Sequence, residues 1–354
     1  MKTKLNTISN LSKGLMVLAL TGSLHYTNAQ EKQSNFTFGG NVDGYYKFDA
    51  GRHNRNSKTR FTENHNSFEL GMASFEATHK TEKFTTFVDL GMGQRADQFS
   101  ATTKNSDIFI KQLYVTAEIA TDLTVTAGSW KKHYGYEHIN AIDNANYSMS
   151  YGFSNSNFFN TGIKLDYKLE KFNFMAGITN ASDFKSAIDA GSTQKNFIGQ
   201  FGYNREKSRF IYSVQTLTAN VFPKNTILNN FIIEHQFDDK LVIALDITNT
   251  NVATMKKMDW NAAAVYVKYA LQEDLNLNYR LEFLDTNHLV RRHMAFDYRN
   301  GDVVSNTFTA KYKVGGLTII PELRLDASSR KLFYFNNEPS KFNAFLLLGT
   351  TYQF

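Results

Sequence analysis

The sequence predicts an all-β fold, a transmembrane antiparallel up-and-down β-barrel of about sixteen strands, within a range of roughly fourteen to eighteen. Three observations carry this. Stretches of about ten residues alternate apolar and polar along the chain after residue 30. Short spacers take turns with long ones. The chain also ends on an aromatic, Phe354, in phase with Tyr352 and Leu348.

Composition narrows the field. The 354 residues include no cysteine, which excludes disulfides, thiolate metal sites, a Cys nucleophile and a Cys-borne lipid anchor. The negative mean hydropathy excludes a multi-helix membrane protein. Hydrophobic residues at 42% against 20% charged make the chain too apolar for disorder. Aromatics reach 14%, and they favour half-buried pleated surfaces.

Residues 1–29 form a separate element. Lys2, Lys4 and Lys13 precede the apolar run Leu15-Met16-Val17-Leu18-Ala19-Leu20, and Thr27-Asn28-Ala29 supplies small residues before Gln30. That is the layout of a cleaved secretory signal peptide, with an apolar run too short to span a bilayer. Cleavage removes three lysines and no acid, so the formal net charge falls from +6 to +3. No basic patch remains concentrated enough to suggest nucleic acid. Residues 30–354 read as a single outer-membrane barrel domain, with no globular block ahead of the first strand to serve as a plug.

Strands are expected at 36–48, 67–79, 84–93, 107–119, 123–130, 157–168, 172–180, 195–203, 209–217, 226–236, 241–248, 259–269, 275–285, 304–312, 317–326 and 341–354. Successive strand side chains point to opposite faces. Leu275, Leu277, Tyr279, Leu281 and Phe283 therefore form one face, with Asn276, Asn278, Arg280 and Glu282 on the other. Leu317, Ile319, Pro321, Leu323 and Leu325 repeat the pattern, as do Phe342, Ala344, Leu346, Leu348, Thr350 and Tyr352 in the last strand. Three strands read less cleanly. Phe68, Leu70 and Met72 fall out of phase with Phe75 and Ala77, which a β-bulge near Ala73 would reconcile. Lys111 lies in the apolar phase of Phe109 and Leu113, and Ala262, Ala263 and Ala264 give little contrast.

A soluble sandwich also alternates, so the spacers decide. Tight turns recur at Lys80–Lys83, Ala120–Asp122, Leu169–Lys171, Asn204–Ser208, Phe237–Lys240, Ala270–Asp274 and Lys313–Gly316. Long polar loops fall between them, at 49–66, 94–106, 131–156, 181–194, 218–225, 249–258, 286–303 and 327–340. Short turns at one end and long loops at the other is the asymmetry of a Gram-negative outer-membrane barrel.

A barrel of this size leaves an aqueous lumen. By phase, its wall carries Asp43, Lys47, Asp89, Glu118, Lys164, Asp166, Glu234, Asp246, Lys268, Arg280, Glu282, Lys311, Glu322 and Arg324. Lumen water is expected to solvate these charges, and opposed arcs or rings of one sign would set ion preference. No long basic ladder appears. A charge on the outer face should hamper insertion: Leu277→Arg is expected to cost about 2–4 kcal/mol, whereas Asn278→Arg should insert and shift ion preference.

The longest loop, 131–156, combines Lys131, Lys132, His133, Tyr134, Tyr136, Glu137, His138 and Asp143 with Tyr147 and Tyr151. Loops of this length are usually functional, and this one is expected to fold inward as a constriction. Its tyrosines also suit a membrane–water interface. His133, Glu137 and His138 lack the helical His-x-x-x-His spacing of a zinc protease, so no metal or other cofactor is expected.

The same region carries a family resemblance. Thr126-Ala127-Gly128-Ser129-Trp130, Gly135-Tyr136-Glu137, Asn144-Ala145-Asn146-Tyr147-Ser148-Met149-Ser150-Tyr151 and Phe158-Phe159-Asn160-Thr161-Gly162-Ile163 resemble the OmpL-like β-barrel porin family, porin-2. Asn160 stands where the family often has His, and Phe158 where it often has Pro. The motifs span about 40 residues, and the alternating strands extend the likeness along the rest. The resemblance implies an outer-membrane porin with no catalytic residues. The expected function is passive diffusion of small hydrophilic solutes or ions, constricted by loop 131–156. Expected partners are outer-membrane lipid, those solutes, and the barrel-assembly machinery, for which Phe354 looks like the signal. A homotrimer is also expected. One alternative is a surface-exposed adhesion or binding barrel. Another is an outer-membrane hydrolase, for which Asp285 with His288 is the best available pair.

Overall fold

Strands with one apolar face can sit in lipid only when every backbone group is paired, which requires the sheet to close. The computed structural model describes residues 35–99, 108–218, 226–252, 259–286, 296, 298 and 301–354. The expected signal peptide and His288 lie outside these residues.

The strands are β1 (Phe36–Asp49), β2 (Ser67–Lys80), β3 (Phe84–Met92), β4 (Phe109–Ala120), β5 (Leu123–Lys131), β6 (Phe159–Leu169), β7 (Phe172–Thr179), β8 (Asn196–Arg205) and β9 (Ser208–Leu217). They continue with β10 (Thr226–Gln236), β11 (Leu241–Val252), β12 (Asn261–Ala270), β13 (Leu275–Asp285), β14 (Val303–Val314) and β15 (Leu317–Ser328), a short hairpin β16 (Phe333–Phe335) and β17 (Glu338–Ser340), and β18 (Phe342–Gln353). Sixteen of them form one closed antiparallel barrel, each paired with its neighbours in sequence. The hairpin stands apart as its own two-stranded sheet, within the loop joining β15 to β18. Closure is made by β1 against β18, from Asn41 opposite Gln353 to Asp49 opposite Phe345. The strand count and the alternation of short turns with long loops follow the sequence reading.

Alternation sets the two faces. On β15, Leu317, Pro321, Leu323 and Leu325 are exposed on the outside, while Thr318, Ile320, Glu322, Arg324 and Asp326 are buried inside. On β18, Phe342, Leu346, Leu348 and Tyr352 face out. Phe354 is also exposed, and its backbone exchanges two hydrogen bonds with Gly40, each 3.1 Å long. Cross-strand aromatic pairs such as Tyr279–Phe308, with ring centroids 4.9 Å apart, reinforce the outer wall.

Two bulges correct the sequence phase. In β2 the register passes from Asp43 opposite Met72 to Gly44 opposite Leu70, so the unpaired residue is Gly71 rather than one near Ala73. Met72 thereby turns inward and is buried, out of phase with the exposed Phe68 and Leu70. A Cβ on Gly71 would lie 1.7 Å from Asp43 Oδ1, a carboxylate held in place by Arg95 and Tyr147. In β4 the register passes from Asp89 opposite Gln112 to Leu90 opposite Ile110. Lys111 is the extra residue. It points inward, buried, with its ammonium 2.8 Å from Asp89. The bulge keeps that cation out of lipid, leaving Leu113 exposed and Phe109 buried.

The family-like motif has a packing reason. Gly128 and Gly162 are cross-strand partners on β5 and β6. A Cβ on Gly128 would come within 2.3 Å of the Leu113 carbonyl, and one on Gly162 within 2.2 Å of the Ile178 carbonyl. Gly128 also has φ of +134°, a conformation open to glycine and strained for other residues. Gly128→Ala is expected to lower the fraction refolded into detergent micelles, read as loss of the heat-modifiable band on a gel. An unchanged band would mean that β4 can move aside.

At the long-loop end a helix, α1 (Gln94–Phe99), brings Phe99 against Phe109, Phe158 and Phe159 at centroid distances of 5.0, 5.6 and 5.2 Å. Phe61, Met149 and Phe153 join them in the largest buried apolar cluster. This cluster lies inside the barrel, where it packs the root of the long β5–β6 loop.

Candidate channel constriction

Residues 132–158 connect β5 to β6 and fold into the lumen; Lys131, expected in this loop, is the last residue of β5. The far wall that receives the loop includes β13, eight strands from β5 in a ring of sixteen. Its anchors are polar, because the strand faces inside the barrel are polar. Arg280 on β13 donates to Glu137 at 2.6 Å and to the Ser148 carbonyl at 2.7 Å. Glu282 accepts from the Tyr151 amide at 2.7 Å. Glu322 on β15 accepts from the Tyr147 and Ser148 amides at 2.8 and 3.1 Å. Arg324 donates to the Met149 carbonyl at 2.8 Å, and Lys311 on β14 to the carbonyls of Ile142 and Asn144 at 3.0 and 2.8 Å.

The remaining wall holds the two limbs of the loop. Asp43 on β1 accepts from the Tyr147 hydroxyl at 2.5 Å and pairs with Arg95 of α1 at 3.2 Å. The Tyr147 ring presses on Gly349, where a Cβ would come within 2.4 Å of it. Lys111 donates to Asn140 at 2.9 Å. On the other side, Asp246 accepts from the Tyr136 amide at 2.9 Å, Asn230 accepts from the Gly135 amide at 3.0 Å, and the Tyr136 hydroxyl donates to Glu234.

Besides Asp246 and Lys311, which are half-buried and hold the loop, the wall charges named from the sequence separate into two sets. Asp43, Lys47, Asp89, Arg280, Glu282, Glu322 and Arg324 are buried. Most hold the loop or pair within the wall. Lys47 donates to the Thr62 carbonyl of the β1–β2 loop at 2.5 Å, and Arg324 pairs with Asp326 at 2.9 Å. Solvation by lumen water, expected for all of them, fails for this set because the loop displaces the water. Charges removed from water need partners. Glu118, Lys164, Asp166, Glu234 and Lys268 keep access to solvent. Lys164 pairs with Asp166 at 2.7 Å, and Glu234 is shared by Arg209 and Lys268 at 3.5 and 3.2 Å.

The tyrosines suited to a membrane interface are instead inside. Tyr134, Tyr147 and Tyr151 are at most 2% exposed. His133, Glu137 and His138 also part company. The His133 Nε2 lies 3.3 Å from the Val214 carbonyl, Glu137 is held by Arg280, and His138 Nδ1 lies 3.4 Å from the Lys131 ammonium. Burial pulls the His133 imidazole down to about 4, so the ring is neutral near neutrality. Burial likewise pulls the Lys132 ammonium down to about 8, against the raising effect of Asp246, Glu137 and Asp183. It is still cationic at pH 7.

Sequence reading missed Arg95 and Arg209, and it gave Lys111 and Asp326 no role in the lumen. Lys111 did leave a signal, since a lysine in the lipid phase is costly enough to imply a bulge. Arg209 shares a phase with Ser213 and Gln215, which marks it as inward.

Of the cavities that stay open beside the loop, two bear on its passage. One, of about 260 Å³, lies between loop residues 138–143 and the wall around β1 to β4, and includes Glu76, Asp89, Lys111 and Lys131. The other, of about 240 Å³, lies between residues 131–139 and the wall from β8 to β10, and includes Gln200, Arg209, Ile211 and Ile232.

Comparison with known proteins gives a family match over nearly all of this fold. The family profile described as "Putative beta-barrel porin-2, OmpL-like" matches residues 35–354. No curated protein sequence matches the chain. Among solved structures, the outer membrane channel DcaP of Acinetobacter baumannii is similar with a TM-score of 0.62 at 11% identity, covering 90% of this chain and 97% of that one. The Salmonella typhi OmpF complex with daunomycin gives 0.62 at 12% identity, over 90% and 97%. The trimer form of in-vitro folded OmpT from Vibrio cholerae gives 0.57 at 12% identity, over 90% and 99%.

Proposed function

Because this chain belongs to the putative beta-barrel porin-2, OmpL-like family, we propose that it is an outer-membrane porin passing small hydrophilic solutes or ions by diffusion past the inward loop. The observation that supports this best is the loop itself. It is pinned across the lumen by polar anchors, and it leaves a cavity on each flank that contains charged groups. Charged groups in a narrow aqueous path set which solutes enter. Within this reading the constriction consists of Lys131, Lys132, His133, Tyr134, Tyr136 and Glu137, and the solvated wall charges line the approach.

The remaining assignments belong to the same proposal. Residues 1–29 direct export and are cleaved. The short turns face the periplasm and the long loops the exterior. Phe354 carries the assembly signal, and the chain trimerises, as the similar OmpT does in its trimer form. Sedimentation in detergent tests the last point. A hydrolase has less support: Asp285 accepts from Asn261 at 3.2 Å, and its expected partner His288 lies outside the described residues.

The deciding experiment is a planar-bilayer recording of the refolded protein. Stable conductance steps are expected, with reversal potentials in a salt gradient reporting charge preference. A folded protein that inserts and gives no steps would overturn the channel reading.

A further inference from the structure

The lumen cations are almost all committed. Arg95, Lys111, Lys164, Arg280 and Arg324 lie in ion pairs, and Lys47 and Lys311 donate to carbonyls. Lys132 is different. Among the described residues, its ammonium has no hydrogen-bond or ion-pair partner. It lies 4.0 Å from the ring centroid of Phe153 and 5.2 Å from that of Tyr134.

The nearby carboxylates Asp246, Glu137 and Asp183 are held by other groups. Asp246 accepts from the Tyr136 amide and, at 2.5 Å, from Asn230. Glu137 is held by Arg280 and by the Ser150 amide at 2.8 Å. Asp183 accepts from the Phe158 and Phe159 amides at 2.6 and 3.2 Å. These bonds fix the loop or its root, and among the described residues none of the three carboxylates forms an ion pair with Lys132.

Lys132 borders the 240 Å³ cavity, and so does Arg209, whose Nε is buried without a hydrogen-bond partner. Lys131 adds a third positive group at the same cavity. The same cavity is also lined by Phe153, Phe158, Ile211 and Ile232, and by Glu137, which Arg280 holds. An occupant is thus offered both positive charge and apolar side chains within one cavity. A cavity of about 150 Å³ holds benzene, so this one has room for a ring bearing a carboxylate.

We propose that this cavity is a binding subsite for small amphiphilic carboxylates, the carboxylate meeting Lys132 and Arg209 and the apolar stem meeting the cross-strand pair Ile211 and Ile232. This rests on the channel reading only for its consequence, a partial block of current. Binding itself does not require conduction.

Two readouts keep these claims distinct. Calorimetry on the folded protein in detergent should show benzoate binding, with benzamide and acetate each at least about tenfold weaker, since each lacks one of the two recognised features. Lys132→Gln should weaken benzoate by about tenfold or more, and Lys132→Arg should retain it. In bilayers, benzoate should reduce the current of the wild type and not of Lys132→Gln. Benzoate bound in detergent with no conductance would leave the subsite standing and remove the channel. Conductance with no preference for benzoate over benzamide would do the reverse. Acetate binding as tightly as benzoate would overturn the proposal, because charge alone would then account for it. The wild-type comparison of the three ligands decides the matter even if a variant fails to fold.

Discussion

Leu281→Arg is expected to hold the barrel out of the bilayer by about 2–4 kcal/mol, the cost of a cation on the lipid face near the midplane. The strand geometry chooses this position over Leu277. Both are exposed on the outer face of β13. Leu277, however, lies two residues beyond the start of the strand at Leu275, next to the tight turn, whereas Leu281 is nearer its centre. The cost falls to about 0–1 kcal/mol near the interface, so Leu277→Arg should be the milder variant. The inward comparison also moves. Asn278 faces the lumen as the phase predicts, but it is buried and its amide donates to the Ala145 carbonyl at 2.9 Å. An arginine there would press on the loop, so it no longer tests facing alone. Glu118 is a better control, because it is exposed beside the short-turn end of the lumen. Glu118→Arg should refold into phospholipid vesicles as the wild type does. The check is the folded fraction on a heat-modifiability gel across a urea series. Equal damage from Leu281→Arg and Glu118→Arg would mean that the two faces have been exchanged.

The outer wall was legible in the sequence because lipid imposes a simple rule. A strand must alternate, and Leu323, Leu325, Leu346 and Leu348 obey it without reference to any distant residue. Local breaks in the rule were visible too, though not their resolution. The phase slip around Phe75 showed that β2 must bulge, yet the bulge sits at Gly71, where Asp43 occupies the space a side chain would need. The interior was much less legible. Asp43, Glu322 and Arg324 are inward by phase, but their burial depends on a loop arriving from the far side of the barrel. Nothing in the local pattern of β15 says that Glu322 will accept two amides from residues 147 and 148. The assumption of solvated lumen charges failed for the same reason. The loop itself showed length, polarity and tyrosines, and those features fit a membrane interface as well as a lumen. What separates the two is the set of partners, which are long-range contacts.

Those partners make Arg280→Ala the variant with the largest expected effect on the constriction. Arg280 is fully buried, and its guanidinium meets Glu137 at 2.6 Å, Glu282 at 2.7 Å and the Ser148 carbonyl at 2.7 Å. The planar fork suits this task, binding two carboxylates and a carbonyl at once, which a lysine cannot reproduce. Alanine would leave Glu137 and Glu282 as buried carboxylates, Glu282 keeping Arg324 at 3.5 Å. Removing one partner of a buried pair costs about 3–5 kcal/mol, because the other charge stays desolvated. The barrel wall does not depend on this residue for its backbone pairing, so the loop should give way first. Water would enter, resolvating Glu137 and Glu282, and residues 137–151 would leave the far wall. The expected record is a higher and noisier unit conductance from a barrel that still shows its folded band. Glu137→Gln should do less, since Arg280 retains Glu282 and the glutamine oxygen still accepts a hydrogen bond. If Arg280→Ala folds and its conductance matches the wild type, the loop is held by its aromatic root and by the other anchors, Glu322, Arg324 and Lys311 among them. The ionic anchors on β13 would then be dispensable to the constriction.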